Sequence, residues 1–322
     1  MSPAVTATLR LVGKQHRYEL ALAVLASLAV GLGALYFSTR LSDLRIPSEC
    51  LLWDMVEPGF EHCLALLKPV WPIYQEGGRI LAAMAVLPGA VGLLGGVPIV
   101  ARELEAGTAQ FAWAIAPSRR AWLLRQLVVV GLLLSVAFGF AAVATEWLET
   151  AQRLLRPATP FDDLGLHGLL PFARMVAALM VGLALGALVG RTLPAFGIAA
   201  VVMLGLVVGV DVARQAWAAA QPTVVVRSSE RESFRGEVVT GAWIDPSGAL
   251  LSYGEAYSRV PDDHHELDSD TWLMNNGYEQ VALGITESTA RMWEPLEVAG
   301  WSMIGLAFLG WGLVLVDRRR PR

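Results

Sequence analysis

The sequence predicts an all-α polytopic membrane protein: six transmembrane helices, N and C termini cytoplasmic, with an α+β extracytoplasmic domain before the last helix. Three observations predict it. The 322 residues are 55% hydrophobic and only 17% charged, with a mean hydropathy of +0.50, against roughly 25% charged in an average soluble protein. The charge deficit is gathered into long apolar stretches, six of which are long enough to cross a ~30 Å bilayer core at about 20 residues each. The remainder holds one composition shift large enough for a folded domain. Disorder and an ordinary soluble enzyme do not fit this balance. A net charge of −4 excludes a basic nucleic-acid binder.

The first stretch, residues 20–37, follows Arg10, Lys14 and Arg17. Tyr36, Phe37 and Ser38-Thr39-Arg40 succeed it where a signal peptide needs small residues at a cut site, so it reads as an uncleaved span. Before it, Val5, Leu9 and Val12 oppose Arg10, Lys14 and Arg17, the pattern of an amphipathic helix lying on a membrane surface. The second span, 80–100, carries Pro88, Gly89, Gly92, Gly95, Gly96 and Pro98. Spans three to six are read at 123–145, 170–189, 194–212 and 298–316.

Arginines near span ends set orientation. Arg10, Lys14 and Arg17 precede the first span, and Arg102, Arg119, Arg120 and Arg125 join the second to the third. Arg191 separates the fourth and fifth, and Arg318, Arg319, Arg320 and Arg322 follow the sixth. An even span count places all of these on one side, the cytoplasmic one. Residues 1–217 then hold the amphipathic helix and spans one to five, 218–295 an extracytoplasmic domain, and 296–322 the last span with a basic tail. In that domain 223–226 and 237–240 read as strands, Asp245-Pro246-Ser247-Gly248 as a turn, and 272–292 as helical.

Cys50 and Cys63, with twelve residues between them in one outer loop, suit a disulfide worth ~3 kcal/mol in an oxidising exterior; two free thiols remain the alternative. Asp262-Asp263-His264-His265-Glu266 lacks metal-ligand spacing, because adjacent side chains on an extended chain diverge; it reads as a solvated acidic loop, and no metal is expected. Asp211 and Arg214, three apart, read as a structural ion pair. Gly182, Gly186 and Gly190, and Gly205 with Gly209, repeat at the interval that lets membrane helices approach closely.

The connection at 101–122 is the most informative segment. Ala-Arg-Glu-Leu-Glu-Ala-Gly-Thr is followed by the apolar 111–115, then by Ala116-Pro117-Ser118-Arg119-Arg120. Pro117-Ser118 ends one element, and Ser118 is placed to cap the next. The pattern predicts a helix-turn-helix on the cytoplasmic surface that presents Glu103, Glu105 and Arg119 to a soluble partner.

Glu-x-Glu-x-Gly-Thr followed by Pro-Ser-Arg resembles the loop of type-2 ATP-binding-cassette (ABC-2) exporter permeases. The six-span arrangement, the Trp293-Glu294-Pro295 entry to the last span and its Asp317-Arg318-Arg319-Arg320 exit are similar too. The resemblance implies a half-transporter in which Glu103, Glu105, Gly107, Thr108, Pro117 and Arg119 form or support a coupling helix. It also implies a cytoplasmic ATPase subunit that binds ATP and Mg, a second permease copy or paralogue, and a bacterial plasma membrane setting. The chain itself has no G-x-x-x-x-G-K-[ST] phosphate loop, since neither Lys14 nor Lys68 stands in that context. The competing expectations are a membrane sensor, or an ATP-independent permease, using the extracytoplasmic domain for a ligand or protein partner.

Overall fold

The computed structural model describes residues 16–44, 60–115, 118–153, 160–161, 165–166, 168–227, 234–261 and 269–319. The amphipathic segment before the first span, Cys50, Pro117 and the acidic 262–266 lie outside them. The chain divides into two compact units: Met1–Pro157, Leu164–Val207 and Pro295–Arg322 form one, Ala158–Asp163 and Val208–Glu294 the other.

In the first unit, α1 (Arg17–Ser42), a short α2 (Phe60–Leu67), α3 (Val70–Glu105), a short α4 (Ala109–Ile115), α5 (Arg119–Arg153) and α6 (Leu170–Val189) follow in order. Then α7 runs over Thr192–Ala219. Six helices among the described residues are long and apolar enough to cross a membrane: α1, α3, α5, α6, α7 and the final helix. With 36 residues, α3 rises about 54 Å and outreaches a ~30 Å hydrocarbon core. It starts ten residues before the apolar run does, in a half-polar turn containing Glu76 and Arg79. Pro88 and Pro98 both lie inside it.

The first unit is built around α3, which packs on α6, α1 and α5. Glycine makes the α3–α6 contact a backbone contact. A Cβ on Gly96 would stand 2.1 Å from the Leu179 carbonyl oxygen, and one on Gly92 2.4 Å from that of Met175. From the other side, a Cβ on Gly186 would meet the Val97 oxygen at 2.5 Å, and one on Gly182 the Val97 nitrogen at 3.0 Å. Gly190 serves another purpose: it ends α6 in the left-handed conformation (φ 69°), its N–H on the Gly186 carbonyl. Gly205 and Gly209 have nothing within 4 Å. Fully 61% of the α6 span window is buried, against 17% for α7.

The second unit holds a four-stranded antiparallel sheet, β1 (Val224–Arg227), β2 (Glu237–Ile244), β3 (Leu250–Leu251) and β4 (Glu279–Ile285), in the order β1-β4-β2-β3. Its helices are α8 (Tyr253–Tyr257), α9 (Ser269–Asn275) and α10 (Glu287–Arg291); α11 (Trp293–Arg318) begins next. The helix expected over 272–292 is thus an error. After α9 the chain turns at Gly277 (φ 79°), and 279–285 becomes the strand that pairs with both β1 and β2, burying Val281 and Ile285. The turn at Asp245 joins β2 to β3; the Ser247 hydroxyl, the Ala249 N–H and Arg259 hold the Asp245 carboxyl down at about 2. Ser252 and Glu255 form a capping box on α8, and Trp243 is fully buried beneath Tyr253. Asp211 pairs with Arg214, whose guanidinium lies 5.1 Å over the Phe161 ring.

The glycine contacts make a direct test. Gly96→Ala forces apart two helix backbones and costs roughly 1–3 kcal/mol, the range for overpacking a filled core; Gly205→Ala is neutral or slightly stabilising. Thermal melting of both variants in detergent, beside the parent, reads the difference.

Candidate functional site

The 101–122 connection is built from helix ends. Helix α3 stops at Glu105 because Gly107 takes a left-handed conformation (φ 70°), which a side chain adopts only at a cost. The Thr108 N–H then reaches the Glu103 carbonyl at 3.0 Å, and the Gly107 N–H the Leu104 carbonyl at 3.3 Å. These two bonds are the Schellman closure of a helix C-terminus. The Thr108 hydroxyl also donates to the Glu103 carboxylate at 2.6 Å. Glu103 is 8% exposed, so each donor to its carboxylate matters, because hydrogen bonds there stand in for water. The spacing Glu-x-Glu-x-Gly-Thr therefore has a local cause in its first Glu, its Gly and its Thr.

The second Glu has a distant one. The Glu105 carboxylate accepts the backbone N–H of Thr192 at 2.9 Å and its hydroxyl at 2.7 Å. A negative group thereby sits on the N-terminus of α7, where the helix leaves unpaired N–H groups and partial positive charge.

Short α4 presses Ala109 and Trp113 into the bundle core and leaves Phe111 75% exposed. Trp113 meets Trp122 edge to face and carries the Arg119 guanidinium 4.7 Å above its ring. Ser118 accepts the Ala121 N–H at 3.1 Å and so caps α5. Arg119 then donates to the carbonyls of Val316, Asp317 and Arg319 at 3.3, 3.2 and 2.8 Å, closing the C-terminus of α11 with positive charge. Arg120 pairs with the Asp317 carboxylate at 2.5 Å. At the other flank Arg102 reaches Glu19 of α1 at 3.1 Å. His16 lies beside this pair with Nε2 unpartnered among the described residues; burial pushes its imidazole below the usual value, against the pull of Glu19.

Glu103, Glu105, Gly107, Thr108 and Arg119 are thus gathered into one layer, with Pro117 outside the described residues. The three charged side chains all bond within the chain, Glu103 buried and Glu105 exposed, and α4 turns Phe111 outward. Cys63 lies half-buried on α2, and its expected partner Cys50 is outside the described residues. Gly182 and Gly186 belong to the α3–α6 crossing. Among the described residues no three His, Cys, Asp or Glu side chains gather as a metal site. Sequence reasoning missed Thr192 and Glu19, each a polar residue at the start of an apolar helix, and Phe111, an aromatic in a seven-residue helix.

The fold and this layer define a multi-pass helical membrane protein whose inter-helix connection is wired into several helix ends. A family model described as ABC-2 membrane transporter related matches residues 20–214, more than half of the chain, and the chain belongs to that family. The match takes in most of α1, α2 to α6 and most of α7. No curated protein and no solved structure matches the chain.

The motif is testable without a substrate. Gly107→Ala meets no neighbour, since nothing lies within 4 Å, and costs about 1–2 kcal/mol through backbone conformation alone. Thr108→Val, nearly isosteric, removes the hydroxyl from buried Glu103 and costs about 1–3 kcal/mol, whereas Thr108→Ser retains stability. Detergent melting curves check all three.

Proposed function

We propose that the chain is the permease subunit of an ABC exporter in a bacterial plasma membrane, working with a separate cytoplasmic ATPase that binds ATP and Mg. The single observation that carries the reading is the 101–122 layer: Glu105 caps α7, Arg119 caps α11, and α4 turns Phe111 outward. Movement of α4 by a docked protein reaches both helices through polar bonds. Membership of the ABC-2 related family supports the reading, as does the absence of a phosphate loop in the sequence.

In this reading the arginine-bearing connections and both termini face the cytoplasm, and residues 218–295 lie outside. A second permease copy or paralogue completes the transporter. It shares with membrane lipid the exposed apolar residues of α7, among them Leu193, Val201 and Leu204. Cys50 and Cys63 form a disulfide on the outer side. A sensor function is the competing reading. What favours it is a cleft of about 480 Å³ in the second unit, lined by Thr240, Gly241, Leu250, Leu251, Ser252 and Tyr253, a place for a ligand or an extracytoplasmic protein.

Affinity purification of the chain from its native membrane in mild detergent separates the two. A nucleotide-binding subunit copurifies with the parent chain, and Arg119→Ala weakens that association or changes its ATP hydrolysis. Purification without any ATPase in several detergents overturns the permease reading and moves the sensor reading ahead.

A further inference from the structure

Two helices of the first unit, α6 and α11, are joined at both ends. At one end Arg174 of α6 reaches the Glu297 carboxylate of α11 at 2.5 Å, and the Trp301 indole N–H donates to the same oxygen at 3.1 Å; the Glu297 side chain is 1% exposed. Along their length they approach closely: a Cβ on Gly305 would stand 3.4 Å from the Ala177 Cα, and one on Gly312 3.5 Å from the Ala184 Cα. At the other end Arg319, the residue after α11, donates to the carbonyls of Ala187 at 2.6 Å and Leu188 at 3.5 Å, the last turn of α6. Gly190 leaves room for it, since a Cβ there would lie 2.7 Å from the Arg319 guanidinium.

The backbone carbonyl of this same Arg319 is the nearest acceptor of Arg119, at 2.8 Å. One residue is therefore held through its main chain by the α4–α5 connection and holds α6 through its side chain. The α6–α7 turn is gripped on its other flank by Glu105. The chemistry is consistent throughout: guanidinium on the helix C-termini of α6 and α11, carboxylate on the N-terminus of α7.

We propose that Arg319 is a positioning residue of the coupling connection, passing displacement of the connection from the end of α11 to the α6–α7 turn. The proposal rests on the reading of the chain as an ATPase-coupled permease. It makes α6 respond to the ATPase although no residue of 101–122 bonds to α6's last carbonyls among the contacts described.

The test is hydrogen exchange on the complex of the full chain with its copurifying ATPase, nucleotide-free and trapped with ATP and vanadate. In the parent, trapping changes exchange both in 101–122 and in 187–192. In Arg319→Ala the change at 187–192 is lost while that at 101–122 persists. Arg319→Lys, which keeps the charge but presents one donor centre in place of a planar fork, retains part of the response and serves where the alanine variant fails to fold. An unaltered response at 187–192 in both variants overturns the role of Arg319 and leaves the permease reading intact. A parent complex in which 101–122 itself does not respond overturns the coupling reading, and the role of Arg319 with it.

Discussion

Helix ends are the constraint on which the rest of this structure depends. An α-helix leaves four N–H groups and four carbonyls unpaired at its ends, and in or near a membrane water supplies fewer replacements. Here the chain supplies them from itself, across long sequence separations. Glu105 closes the start of α7, Arg119 the end of α11, and Arg319 the end of α6. Thr108 and Gly107 close α3 locally. The residues that satisfy the helix ends are also those that tie the helices together, so capping and mechanical connection are one set of bonds.

The apolar part of the first unit gives those bonds something rigid to act on. Four glycines let α3 and α6 meet backbone to backbone, a contact whose strength comes from packing since lipid tails are as apolar as side chains. The Arg174–Glu297 pair adds a buried electrostatic clasp between α6 and α11. Removing one partner of a buried pair typically costs about 3–5 kcal/mol, because the other charge loses its counter-ion. Against that framework α7 is lightly held: its span window is 17% buried and its glycines Gly205 and Gly209 face open space.

Much of this was legible in the sequence, for identifiable reasons. Apolar runs of bilayer length report themselves in composition, and six such helices are present. Their ends are less visible: α3 begins at Val70, ten residues before its apolar run, and there the Tyr74 carbonyl accepts a bond from Gln152, 78 residues away. Strand β4 was hidden because Glu279–Ile285 follows a genuine helical turn and becomes a strand through pairing with β1 and β2 on both sides. Gly277, after Asn275 and Asn276, was the available signal. In the connection the residue types of the motif were readable but their partners were not. Thr192 lies 87 residues from Glu105, and Ala187 lies 132 from Arg319. A cap made across such distances leaves no local pattern. Among the arginines that first serve to orient the spans, Arg102, Arg119, Arg120 and Arg319 have individual acceptors on other helices.

In the proposed function the connection receives a nucleotide-binding subunit on α4 and hands its motion to helix ends. The most direct measurement places a photo-crosslinking amino acid at Phe111 in the full chain and illuminates native membranes. The account predicts an adduct with a nucleotide-binding ATPase subunit whose yield changes between nucleotide-free and ATP-bound conditions. Adducts with lipid alone, or with no protein in either condition, contradict it.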